Sequence, residues 1–426
     1  MAVETLLLSS PPASSSHVIV HHCRLHSDGN PSSLMRSASI SSLKCRHSPP
    51  FWTARKKRSS SSPSLSSSSL AADPTHQRHG VLVVSQANVT LNPIPPLKQL
   101  TAAEPAVVQK LVKAFAPATV ANLGPGYDFL GCAVDGLGDF VTAEVNDNVA
   151  PGTVAISSIT GDEGRLSYLP EQNCAGIAGK ATLDLLGVQS VGVSLTLHKG
   201  LPLGSGLGSS AASAAAAAVA VNALFGNPLT KAQLVQAGLE SEARVSGYHA
   251  DNVAPSLMGG FVLIRSYDPL HLIPLAFPED KELFFVLVSP EFEAPTKKMR
   301  AVLPLEISMK EHVSNCSQAA ALVCAILLGD SYLLGSALSS DTIVEPKRGP
   351  LIPGLLAVKL VSLKNGAYGC TISGAGPTTV AITDSEEKGW RIGQSMVEQF
   401  LVDGKLKATA HVRKLDREGA RVVEVQ

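Results

Sequence analysis

The chain has 426 residues, enough for two domains with cores of their own. Lys+Arg and Asp+Glu balance at 35 each, so no basic field exists to hold nucleic acid or an anionic membrane. No run of about 20 apolar residues appears, so no helix is expected to cross a bilayer.

Two compositions share the chain. Residues 1–85 are serine-rich and carry nine Lys/Arg against three acids, Glu4, Asp28 and Asp73. Apolar residues there are sparse and without period, too few to offset the entropy of ordering. The segment lacks the apolar core of a secretory signal. A basic, acid-poor, Ser-rich leader reads as an organellar transit peptide of plastid type, implying a stromal mature protein; a plain disordered tail is the alternative. Without it, 26 Lys/Arg face 32 Asp/Glu, a mildly acidic balance suited to a small-molecule enzyme. Residues 86–106, with Pro93, Pro95, Pro96 and Pro105, read as linker. Cys23, Cys45, Cys132, Cys174, Cys316, Cys324 and Cys370 form no CxxC pair and read as reduced thiols.

From Leu111 the pattern predicts strands at 111–115, 140–145 and 153–157. A helix over 173–186 stops at Gly187. Alternation at 191–197 predicts a strand, followed by a glycine-serine loop and an alanine-rich helix over 209–225. Thr230 caps a helix to about Ala243, and a strand follows at 260–265. The second block opens with a buried strand at 283–289. Helices are expected at 308–328, 355–364 and 386–402, and strands at 368–374, 378–383, 408–413 and 420–425. Mixed elements in two blocks indicate an α+β architecture.

The passage Leu201–Phe225, "LPLGSGLGSSAASAAAAAVAVNALF", joins that loop directly to the alanine helix. A helix N-terminus presents unpartnered N–H groups and roughly half a positive charge. Glycines ahead of it let the backbone close on an anion, and alanines let the helix lie close against a sheet. The strand, loop and helix are therefore a candidate triphosphate cradle. It is no P-loop, since the required Lys is missing, and no dinucleotide fingerprint, since Ser209 falls where the third glycine belongs.

"PLGSGLGSSAA" (Pro202, Leu203, Gly204, Ser205, Gly206, Leu207, Gly208, Ser209, Ser210, Ala211 and Ala212) resembles the ATP-binding motif of the GHMP kinases, small-molecule kinases of galactose, homoserine and mevalonate. "PATVANLGPGYDFLG" (117–131) resembles their N-terminal substrate motif, and "TISGAGPTTVAI" (371–382) their C-terminal glycine motif. The resemblance covers about residues 110–425. It implies a two-domain fold, with an ATP-binding domain of ribosomal protein S5 domain 2-like type over 107–278. A ferredoxin-like domain over 279–426 would complete it, with the active site between them. The motif at 117–131, with "HADNVAP" (249–255), "TKKMRAVLP" (296–304) and "EPKRGPLIP" (345–353), is similar to the branch that phosphorylates homoserine.

That resemblance implies ATP with Mg2+ and L-homoserine as substrates, and a homodimer. Homoserine is a zwitterion with a primary hydroxyl. Arg300 and Arg348 are expected to clamp its carboxylate, and Asp128 to accept its ammonium. Asn122 and Thr296 would add hydrogen bonds, and His249 a wall. Ser210 and Glu242 resemble the magnesium ligands, and Gly374 and Gly376 would let a second loop approach the substrate. Asn252 is expected to orient the hydroxyl while Asp251 supports the site; Asp251 as general base is the alternative. Two rival readings stand beside this one: a GHMP kinase for a sugar or isoprenoid alcohol, and a silent sensor of amino acid or nucleotide.

Overall fold

The computed structural model describes residues 99–245 and 247–426; the expected leader and most of the linker lie outside them. Strand β1 (Leu111–Ala121) pairs antiparallel with the long β2 (Leu130–Val145), and the register shifts at Pro117/Ala118. Proline lacks an N–H, and such irregularities are where a sheet accepts it. Sequence reading placed only the second half of β2, because Gly136 and Gly138 interrupt the alternation. Gly138 is required there by a crossing: a Cβ would lie 2.1 Å from Ala116 O.

The first half of β2 pairs with β5 (Phe261–Tyr267), which pairs with β6 (Leu270–Leu275). Its second half pairs with β4 (Val193–His198), and β4 runs parallel to β3 (Val154–Thr160). The last strand of the chain, β11 (Arg421–Val425), adds to this seven-stranded sheet beside β1.

Three helices, α1 (Cys174–Leu186), α2 (Ser209–Leu224) and α3 (Lys231–Val245), pack with one another, and α2 lies against β1 and β2. Every residue of α2 except Ser210 is buried. A helix apolar all round belongs inside, and alanine keeps its axis close to each neighbour. Thr230 begins α3 through a reciprocal cap: its Oγ1 accepts from Gln233 N while Gln233 Oε1 accepts from Thr230 N. The short α4 (Val253–Met258) follows, starting from Asn252.

The second sheet has the order β10-β7-β9-β8, built from β7 (Phe284–Pro290), β8 (Gly369–Ile372), β9 (Thr379–Thr383) and β10 (Ala408–Lys414). Alternate residues of β7 serve two cores. Phe284, Val286 and Val288 pack with residues of α9 (Leu355–Lys364) and α10 (Glu386–Gln399). Phe285 and Leu287 face the large core, which includes residues of α6 (Met309–Leu328) and α7 (Ser331–Leu338). This period-two division is what a strand covered on both faces requires. Two short helices, α5 (Thr296–Ala301) and α8 (Glu345–Arg348), carry the arginines singled out above. No helix among the described residues is long and apolar enough to cross a membrane.

Candidate active site

The loop from Leu201 to Gly208 enters α2 through left-handed glycines. Gly206 has φ 84° and Gly208, the N-cap of α2, has φ 68°. Both are also hemmed in. A Cβ on Gly206 would meet Ser373 O at 2.6 Å, and one on Gly208 would meet Thr119 Oγ1 at 2.0 Å. The first bond of α2 runs from Ala212 N to Gly208 O at 2.9 Å, so the amides of Ser209, Ser210 and Ala211 have no intrahelical acceptor. The loop is braced by the second glycine turn: Ser373 Oγ donates to Gly206 O at 2.7 Å and Thr378 N to Ser205 O at 3.1 Å.

Beneath the loop lies a network that sequence reading missed. Lys199 and Asp139 form a fully buried ion pair. Lys199 Nζ also donates to Ser209 O and to Ser213 Oγ, each at 2.8 Å. Asp139 Oδ1 accepts from Gly200 N at 3.0 Å and from Leu201 N at 3.2 Å. The pair thus ties the end of β4 to the first turn of α2. A Lys-Gly step after an alternating strand looks like an exposed strand end. Asp139 inside an apolar stretch was the available signal, because such an acid needs a buried partner.

A cavity of about 420 Å³ opens in front of this loop. Its lining includes Leu203, Gly204, Ser205, Gly206, Gly208, Ser209, Ser210, Glu242, Asn122, Asp128, His249, Asp251, Asn252, Thr296, Arg300, Arg348, Gly374 and Gly376. Leu207, Ala211 and Ala212 are buried and outside its lining, as is Pro202, which is exposed. Leu166, Gln172, Asn173 and Cys174 also line it and were not anticipated. Burial and the nearby Glu242 charge push the Cys174 thiol up to about 11, so it is not a nucleophile at neutral pH.

The acidic and basic groups are arranged by tight turns. Asn122 (φ 72°) and Asp128 (φ 63°) both take the left-handed conformation, which their residue types tolerate. Asn122 Nδ2 donates to Gly374 O at 2.8 Å, and its Oδ1 accepts from Asp128 N at 3.0 Å. Asp128 receives Arg300 in a bidentate pair, at 2.9 and 2.6 Å, with His249 Nδ1 3.7 Å away. Arg300 and Asp128, expected to hold opposite charges of one ligand, also neutralise each other. Arg300 Nε is buried without a partner.

Arg348 is 2% exposed and has no carboxylate partner among the described residues. Its Nε donates to Met299 O at 3.0 Å and its Nη1 to Gly374 O at 3.1 Å, and the guanidinium lies over the Tyr127 ring at 4.9 Å. Burial holds its pKa below the usual arginine range. A buried cation held by two carbonyls, the Tyr127 hydroxyl and the face of its ring can accept an anion.

At the N-terminus of α2 Ser210 Oγ donates to Glu242 Oε1 at 2.8 Å. Asp251 is buried, and burial together with the charges of Asp128 and Glu242 lifts its carboxyl to about 7. Burial also lowers the pKa of His249, assisted by Arg300 and Arg348 and opposed by Asp128.

The family model for the GHMP kinases N terminal domain matches residues 174–260, and that for the GHMP kinases C terminal domain matches 320–401. A homoserine kinase of Arabidopsis thaliana is 66% identical over 345 residues, covering 78% of this chain and 93% of the relative. The chain belongs to the homoserine kinase branch of the GHMP kinases. A homoserine kinase of Chlorobium phaeovibrioides is 44% identical, covering 74% of this chain and 100% of its own. The crystal structure of homoserine kinase from Cytophaga hutchinsonii superposes with a TM-score of 0.70 at 41% identity, over 75% of this chain and 99% of that one. The two-domain α+β GHMP kinase fold expected from the motifs is therefore the fold of this chain. In this GHMP kinase the first family model begins at Cys174 on the cavity lip, so the Asn122 and Asp128 turn precedes the matched region.

Proposed function

We propose that this GHMP kinase is a homoserine kinase, transferring the γ-phosphoryl group of ATP to the side-chain hydroxyl of L-homoserine to give O-phospho-L-homoserine and ADP. The observation that carries the reading is Arg348, a buried guanidinium without an ion-paired carboxylate among the described residues, in one cavity with Asp128, Arg300 and the N-terminus of α2. A zwitterionic amino acid brings a carboxylate for Arg348 and for Arg300 Nε, which has no hydrogen-bond partner among the described residues, and an ammonium that would share Asp128 with Arg300. Neither a sugar nor an isoprenoid alcohol brings both charges. Asn122, Thr296 and His249 complete the pocket, and the Gly374 carbonyl anchors Asn122 and Arg348.

The polyphosphate would lie on the amides of Gly206 to Ala211, where the helix dipole favours negative charge. Ser210 and Glu242 fit Mg2+, which takes few protein ligands and keeps phosphate oxygens and waters. Among the described residues no larger cluster of metal-ligating side chains exists, which agrees with a metal held largely by nucleotide. When bound, the ion neutralises charge on the transferring phosphate. The protein contributes position: Arg348 and Asp128 fix the amino acid, and Asn252 holds its hydroxyl beside the phosphate loop.

Asp251 sustains a second route for the hydroxyl proton. A carboxyl lifted to about 7 in the cavity wall suits a poised base. A loose transition state, by contrast, needs no early deprotonation. The same overall reading carries plastid import through residues 1–85, tested by the destination of a fluorescent fusion, and a homodimer, tested by light scattering.

The deciding experiment is a coupled ADP-release assay with Mg2+ and ATP over homoserine, serine, threonine and mevalonate. Turnover with homoserine far above the others is expected. Turnover with mevalonate alone refutes the substrate, and binding without turnover of any alcohol makes the protein a sensor.

A further inference from the structure

Thr119 sits in β1 within the Pro117–Gly131 motif, fully buried and outside the lining of the cavity. Its hydroxyl nevertheless touches both sides of the reaction site. It donates to Asn252 Oδ1 at 2.8 Å. It also occupies the space beside Gly208, where a Cβ would fall 2.0 Å from Thr119 Oγ1 and 3.0 Å from Asn252 Oδ1. The Thr119 amide donates to Leu207 O at 3.1 Å, so one residue grips the end of the phosphate loop and Asn252 together.

A carboxamide has an accepting end and a donating end. A buried hydroxyl must place its proton somewhere, and Asn252 Oδ1 is the only acceptor it finds among the described residues. With Oδ1 held, Asn252 shows the cavity its NH2 end, which makes no other hydrogen bond among the described residues. We propose that Thr119 is a positioning residue for phosphoryl transfer: it locks the Asn252 carboxamide with its donor inward. Asn252 then holds the acceptor alcohol by an oxygen lone pair and leaves that alcohol's proton turned away from it. The proposal rests on the homoserine kinase reading of the cavity.

The test compares Thr119→Val, which keeps the shape and removes the proton, with Thr119→Ser, which keeps the proton. Thr119→Val is expected to lower kcat about tenfold, the value of one hydrogen bond, with KM for ATP within about twofold. Thr119→Ser stays within about threefold of the parent. In an Asn252→Ala background Thr119→Val costs nothing further, because its route of action is gone. A wild-type kcat in Thr119→Val overturns the proposal, as does a loss that multiplies with that of Asn252→Ala.

A second arm is independent of turnover. The side-chain amide signals of Asn252 in the ligand-free protein, assigned by their absence from Asn252→Ala, should shift in Thr119→Val and stay in Thr119→Ser. Signals unmoved in Thr119→Val refute the lock. Signals that shift in a protein inactive on homoserine leave the lock standing and refute the function. If Thr119→Val does not fold, Thr119→Ala gives the same readings.

Discussion

Replacing Asp251 by Asn separates what this carboxylate costs the fold from what it does for the reaction. Asp251 is 4% exposed, and its carboxyl is lifted from an ordinary 3.8 to about 7. The sign follows from linkage. Below pH 4 the carboxyl is protonated in both folded and unfolded chains and makes no difference. As pH rises from about 4 to 7, the unfolded chain releases the proton and the folded chain keeps it, so stability falls. Above about 7 the loss is complete. At 1.36 kcal/mol for each pH unit between the two values, the buried charge costs about 4 kcal/mol at pH 8. Asn keeps the shape and carries no charge. Asp251→Asn should therefore melt several degrees higher than the parent at pH 8, at about 2–4 °C per kcal/mol, and level with it near pH 4. Thermal melts across pH 4–8 measure this. A variant no more stable than the parent at pH 8 refutes the electrostatic account. The kcat of the same folded variant settles the proton route. Measurable turnover fits positioning without a base, whereas collapse with unchanged KM makes Asp251 the base.

Gly208→Ala places a Cβ 2.0 Å from Thr119 Oγ1 at a φ of 68°; we expect KM for ATP to rise at least tenfold, read from initial rates. Asp139→Asn leaves Lys199 charged and buried without its ion partner, which should cost about 3–5 kcal/mol in denaturant titration. Replacing Asp139 and Lys199 together by neutral residues should recover part of that loss. Glu242→Gln removes the carboxylate beside Ser210, and the Mg2+ concentration for half-maximal rate should rise about tenfold.

The phosphate end of the cavity was legible in the sequence because its chemistry is local. A strand, a glycine loop and an alanine helix follow one another, and Gly204 to Ser210 act through backbone that neighbouring residues shape. The amino-acid end was legible only as a set of motifs. Asn122 and Asp128 share one turn, whereas Arg300 and Arg348 come from two short helices far downstream in the chain. Helices as short as α5 and α8 have no period long enough to read. What resisted reading was mutual. That Arg300 would pair with Asp128, or that Lys199 would find Asp139, depends on which buried groups the fold brings within reach. The start of β2 was hidden by Gly136, which takes a left-handed φ of 66°, and by Gly138, whose absent side chain is a crossing requirement rather than a turn signal. The pairing of β11 with β1 carries no local mark, since register between distant strands is fixed by tertiary packing.

The bonds from Ser373 and Thr378 to Gly206 and Ser205 mean that the glycine loop ahead of α2 is sculpted by polypeptide more than 160 positions downstream. A fragment ending after β6 would keep every glycine of that segment and lose the clasp that shapes it. Dissected or swapped halves of this enzyme should therefore bind ATP poorly until the missing half is supplied in trans.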